Sequence, residues 1–126
     1  MPGSRTSAEE TFTVHRNLAF NTEKTALTLD LYTPEAADRP TPCVIVIQGG
    51  GFRPQDGQRF KPFAELLAAN GFAAALISYR GIPHHTYVET LADVRNSVRY
   101  VRRVAGEYQI DPQRIGAMGR SAGATL

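Results

Sequence analysis

Arg114-Ile115-Gly116-Ala117-Met118-Gly119-Arg120-Ser121-Ala122-Gly123 decides how this chain is read. A short apolar run passes directly into a serine with a glycine two residues to either side, the G-x-S-x-G spacing of a strand-to-helix turn. In such a turn the backbone is too tight for a side chain at either glycine, and the serine hydroxyl is pushed out at the carboxyl edge of the sheet. Ser121 is therefore the candidate nucleophile. Arg120, its neighbour inside the turn, packs or faces solvent and is given no chemical role.

A second glycine turn closes a second apolar run. Gln48-Gly49-Gly50-Gly51 follows Cys43-Val44-Ile45-Val46-Ile47 as the serine turn follows Arg114 to Met118. Three consecutive glycines leave main-chain N–H groups uncovered and free to point at a ligand, which a developing oxyanion requires. A flexible linker has the same composition. The position at the end of a buried strand, paired with a serine turn, favours the oxyanion reading.

Working outward, Thr11 to Phe20 and Thr25 to Tyr32 read as two strands joined by Asn21-Thr22-Glu23-Lys24. Leu27, Leu29 and Leu31 alternate with polar residues, which predicts a half-buried antiparallel edge. Pro34 to Pro42 is a polar, proline-marked connection. The wholly apolar run Cys43 to Ile47 suits a sheet covered on both faces. Pro62 to Ala69 reads as a helix with Phe63, Leu66 and Leu67 on one side and Asn70-Gly71 as its stop. Phe72 to Tyr79 is the next buried strand. The helix after it, from Tyr87 to Gly106, places Val88, Leu91, Val94, Val98, Val101 and Ala105 at three- and four-residue steps, with Asp93, Arg95, Asn96, Arg99 and Arg102 on the other, solvated side. Asp111-Pro112 leads into the final strand, Arg114 to Met118. The order β, β, β, α, β, α, β predicts one α/β domain over residues 11–126 after a polar tail at 1–10.

At these residues the chain resembles the α/β-hydrolase esterases and lipases, in particular the hormone-sensitive-lipase-like and the bacterial feruloyl or acetyl-xylan esterase-like groups. The resemblance begins near Leu29-Asp30-Leu31-Tyr32-Thr33-Pro34 and runs through the glycine loop, Ile77-Ser78-Tyr79-Arg80-Gly81, the Tyr87 helix and the serine turn. It implies a mostly parallel sheet with antiparallel N-terminal strands, interrupted after the nucleophile turn. It also implies Ser121 as nucleophile and an oxyanion hole built from the N–H groups of Gly50, Gly51 and Ala122. Gln48, Phe52 and Tyr79 fall where a pocket would be lined, with Arg53 and Arg80 beside them. The expected reaction is hydrolysis of a carboxylic ester, of a small molecule or of a carbohydrate, through a serine acyl-enzyme.

The chain departs from that family pattern at two points. Gln48 stands where such esterases usually carry histidine; the oxyanion donors are main-chain groups and survive the change, but an amide cannot anchor the loop with an imidazole's charge or tautomers. In this fold the acid and the histidine follow the serine, and here five residues follow Ser121. His15, His84 and His85 all precede it. The expectation is an N-terminal portion of a hydrolase domain, inactive alone. A serine peptidase of the prolyl-oligopeptidase kind and a degenerate, non-catalytic relative are the competing readings.

Composition sets the outer limits. Hydrophobic residues at 42% and charged residues at 21% describe an ordinary globular chain. A net charge of +2, with arginines dispersed through helices, argues against a nucleic-acid partner. Met1 to Glu10 has no apolar stretch of signal-peptide kind, and Phe72 to Ile77 is too short to span a bilayer, so no membrane association is expected and the compartment stays open. The single cysteine, Cys43, reads as a small buried hydrophobe. His84-His85 lacks the partners of a metal site, and no cofactor motif is present.

Overall fold

The structure, a computed structural model, describes residues 12–21, 27–35, 39–47, 60–78 and 87–119. Within them the elements follow one another as β1 (Phe12–Asn21), β2 (Leu27–Pro34), β3 (Thr41–Ile47), α1 (Lys61–Ala69), β4 (Ala73–Ile77), α2 (Tyr87–Val104) and β5 (Ile110–Gly119). That is the order read from the sequence. The strands make a single sheet ordered β1-β2-β4-β3-β5. β1 with β2 and β2 with β4 are antiparallel, and β3 is parallel to both β4 and β5.

The alternation of Leu27, Leu29 and Leu31 does point three leucines into the core, but β2 is not an edge. It lies between β1 and β4, and its other face is closed as well by the buried ring of Tyr32. The edge is β1. There the register slips by one residue between His15 and Leu18 and again between Ala19 and Asn21. At the first slip Asn17 takes a left-handed conformation (φ 57°), its N–H is held by Asp30 Oδ1 at 2.9 Å, and Arg16 sits 3.7 Å from the same carboxylate. Bulges of this kind kink an edge and raise its twist.

α1 starts with a proline in its first turn, where the missing N–H has no helical partner to lose. Its end is a Schellman motif: Phe72 N–H donates to Leu67 O at 3.0 Å, Gly71 N–H to Ala68 O at 3.4 Å, and Gly71 supplies the left-handed residue (φ 89°). The inward face differs from the expected one. Ala64 and Ala68 are buried, whereas Phe63 and Leu66 are exposed and Leu67 is half-buried. Ala64 and Ala68 let the helix come close to Tyr32, Val46, Ala74 and Leu76 on the strands beneath, and the bulkier Phe63 and Leu66 are left at the surface.

α2 shows a related rotation. Val94, Val101 and Ala105 are buried as expected, but Val88 is 73% exposed while Thr90, Asp93 and Ser97 are buried. Ser97 Oγ donates to Val94 O at 2.6 Å, and Thr90 and Asp93 each engage a partner, the condition under which burying polar atoms is tolerable. The two helices lie on opposite faces of the sheet: α1 closes the cluster of Tyr32, Val46, Ala74 and Leu76, and α2 the larger one containing Leu29, Leu31, Ile45 and Ile77.

β5 enters through an irregular stretch. Pro42 has no N–H to give, and at this point the β3–β5 register jumps from Thr41↔Ile110 to Cys43↔Ile115. The extra residues on β5 form an Asx turn, with Asp111 accepting Gln113 N–H at 2.9 Å and Arg114 Nε–H at 3.1 Å. Regular pairing then runs from Ile115 to Gly119.

Candidate active site

Three parallel strands end at one level. Ile47, the last residue of β3, is in register with Ile77 of β4 on one side and with Gly119 of β5 on the other. β3 passes straight into Gln48-Gly49-Gly50-Gly51, and Gly119 is itself the first glycine of the serine motif. β3 is followed by α1 on one face and β4 by α2 on the opposite face, so the crevice above their carboxyl ends is a topological switch point, where open α/β sheets take ligands.

The strand ends are held firmly. The N–H and the hydroxyl of Ser78 both donate to Thr28 O, at 3.3 and 2.7 Å, which ties the exit of β4 to β2 immediately before Tyr79. Nothing in the sequence signalled that anchor, since it depends on which strand β4 chooses as its second neighbour. Beside the ends of β3 and β5, on the α1 side, a cavity of about 210 Å³ is lined by Val46, Ile47, Phe60, Phe63, Met118 and Gly119. Phe60 and Phe63 meet with ring centroids 5.7 Å apart. No titratable side chain is among these residues; they offer apolar contact and exclusion of water, not proton transfer.

Ser121, Gly50, Gly51, Ala122, Gln48, Phe52 and Tyr79 lie outside the described residues, as do Arg53, Arg80, His84, His85 and Arg120. What the structure brings together is the set of strand ends from which those segments depart. Two other groups can be located directly. Cys43 is buried between β4 and β5, and burial pushes its thiol up to about 12, so it is no nucleophile at neutral pH. His15 is half-buried at the opposite edge of the sheet, its ring centroid 4.8 Å from that of Tyr108. A larger cavity, about 330 Å³, opens there, away from both glycine motifs. Among the described residues no three His, Cys, Asp or Glu side chains gather in a metal-binding cluster.

Comparison with known proteins agrees with this architecture. The profile of the BD-FAE family matches residues 29–126. A rice (Oryza sativa subsp. japonica) protein described as a probable isoprenylcysteine alpha-carbonyl methylesterase is 33% identical over 102 residues, covering 78% of this chain and 24% of its own length. Among solved structures, a bacterial heroin esterase superposes with a TM-score of 0.77 at 29% identity, covering 90% of this chain and 36% of that one. Esterase B of Lactobacillus rhamnosis, solved with a tributyrin phosphonate inhibitor, gives a TM-score of 0.83 at 25% identity, covering 90% and 38%. The chain thus spans about a quarter of the curated relative's length and under two-fifths of these two solved chains. Sheet order, paired strand ends and the match over residues 29–126 converge: the chain belongs to the BD-FAE family of esterase-type hydrolases, built on the α/β-hydrolase fold.

Proposed function

We propose that these residues carry the nucleophile and the oxyanion hole of a carboxylic-ester hydrolase. The observation that supports this most directly is the pairing of Ile47 with Gly119, because it starts the glycine loop and the serine turn side by side at one sheet edge. Two peptide units separate Gly119 from Ser121, a reach of at most about 7 Å, and neighbouring strands are about 4.8 Å apart. These distances support a reading in which main-chain donors from one loop and a hydroxyl from the other serve a single carbonyl. The esterase relatives, and the phosphonate on one of them, favour an ester over an amide as substrate.

In this reading Ser121 Oγ attacks the ester carbonyl and its proton passes to a general base. The N–H groups of Gly50, Gly51 and Ala122 hold the oxyanion of the tetrahedral intermediate, the alcohol leaves with a proton, and water then releases the acyl group. Each oxyanion donor contributes about 3 kcal/mol to the transition state. Family resemblance puts the histidine and its orienting acid after the serine in chain order, so residues 1–126 alone should not turn over substrate.

Labelling with a fluorophosphonate, together with turnover of a short-chain aryl ester, tests this in the protein that carries these residues along with its histidine. Ser121→Ala should abolish both signals, and Gly50→Val should lower kcat by about a hundredfold with the fold intact. Labelling that persists in Ser121→Ala would sink the assignment.

A further inference from the structure

The cavity of about 330 Å³ lies at the edge of the sheet opposite the strand ends just described, where β2 finishes, β3 begins and the turn after α2 crosses beneath them. Its size falls in the range of small-molecule pockets. Its chemistry is unlike that of the apolar cavity. Two rings border it, His15 and Tyr108, tilted at 59° to each other. Around them stand the hydroxyls of Thr33 and Thr41, the side-chain amide of Gln109 and one carboxylate, Glu107.

Two features make this a built site. Thr41 N–H donates to Gln109 O at 2.9 Å and Thr41 Oγ1 lies 3.4 Å from the same oxygen, fixing the turn to β3. Gln109 is held in a left-handed conformation (φ 57°) that costs a side-chain-bearing residue about 1 kcal/mol and that glycine would adopt freely. On the other wall His15 Nε2 is 3.3 Å from Thr33 Oγ1. His15, Thr33, Thr41 and the backbone at Gln109 are therefore set before any ligand arrives.

The lining selects among ligand classes. A carboxylate at the rim opposes anions, and one carboxylate is too few for a hard cation, which wants six or more oxygens. Lipid chains would find walls that are only half apolar. Aromatic faces beside a mixture of donors and acceptors suit a neutral ring that presents C–H groups on its faces and hydroxyls at its periphery. We propose that this amino-edge cavity is a second binding site, for a neutral pyranose sugar, independent of the chemistry at Ser121. Tyr108 gives the stacking face, Glu107 accepts from adjacent sugar hydroxyls, and Gln109 and the threonines complete the hydrogen bonds.

Amide NMR of the ¹⁵N-labelled protein titrated with xylobiose tests the proposal, with glucuronate as the charged counterpart. Saturable shifts are expected at Thr41, Tyr108 and Gln109, with glucuronate binding more weakly. Glu107→Gln, an exposed change that leaves the fold alone, and Tyr108→Ala should each weaken binding about tenfold. Tyr108→Phe should stay within about threefold and Ser121→Ala should leave binding unchanged. Absence of shifts at about 50 mM xylobiose, a concentration well above the Kd of any useful binding, overturns the site. So do shifts confined to Ile47, Ile77 and Gly119, or unaltered binding in Glu107→Gln. Glucuronate binding as tightly as xylobiose overturns the ligand class.

Discussion

β4 and β5 flank the same strand, run in the same direction and read alike, Ala73-Ala74-Ala75-Leu76-Ile77 against Ile115-Gly116-Ala117-Met118-Gly119. All five residues of β4 are buried, and none of those five in β5 is. Their neighbours make the difference. β4 has strands on both sides and a helix over each face, whereas β5 has β3 on one side and, among the described residues, no strand on the other. Apolar composition states what a strand is able to bury. Its place in the sheet decides what it does bury, and hence how much of the fold's stability it carries.

The sharpest way to break this contrast is a matched pair of truncations. Ile77→Ala in β4 removes a fully buried side chain and should cost about 3–4 kcal/mol, while Met118→Ala in β5, at a position 39% exposed, should cost less than about 1 kcal/mol. Urea midpoints of the two variants decide it; equal losses would mean that β5 is as well covered as β4.

Cys43 offers a second, somewhat smaller effect, because it is in register with Ala73 of β4 and Ile115 of β5 and so reports on both flanks at once. Its thiol is raised to about 12 by burial, against an unfolded value near 8.5. Above about pH 9 the unfolded chain releases this proton and the folded one keeps it, so unfolding free energy should fall by about 1.4 kcal/mol per pH unit until the folded thiol titrates near 12. Denaturation at pH 8 and 10 measures the slope, and Cys43→Ala should remove this part of it. A slope unchanged by Cys43→Ala would mean that the thiol is not protected. At pH 8 a thiol reagent should react far more slowly than with the unfolded chain, at a rate set by opening of the β5 flank.

The smallest effect is expected inside the well-covered region. Among the described residues the Tyr32 hydroxyl is buried without a well-formed hydrogen bond, and burial raises its pKa, with the neighbouring Arg16 cation opposing the rise. Tyr32→Phe removes a desolvated atom that is poorly compensated, so stability should change by less than about 1 kcal/mol, in either direction. A loss of 2 kcal/mol or more, measured by calorimetry, would show that the hydroxyl has a partner after all.

The elements and their order were legible because each is written locally: unbroken apolar runs for β3 and β4, Pro62 and Gly71 at the two ends of α1, a spaced stripe for α2. Placement was not. Whether Leu27, Leu29 and Leu31 belong to an edge or an interior strand depends on β4 pairing with β2, a contact some fifty residues away in sequence. The inward turn of Ala64 and Ala68, and the burial of Asp93 in a helix that reads as amphipathic without it, follow from the shape of the surface each helix meets. At the site, motif spacing named the loops and the register shows their points of departure side by side. The amino-edge cavity left no trace in the sequence, since His15, Thr41 and Tyr108 come from three separate elements.

The paired bulges of β1 bear on how such a sheet could ever be extended. An incoming strand needs a straight run of evenly spaced donors and acceptors, and around Asn17 that rhythm is broken while Arg16 adds a charge. β5 presents a regular ladder from Ile115 to Gly119. Among the described residues the two margins are therefore unequal templates: the β1 margin is broken by its own geometry, and the β5 margin, which leads to the serine turn, is the more regular one for an added strand.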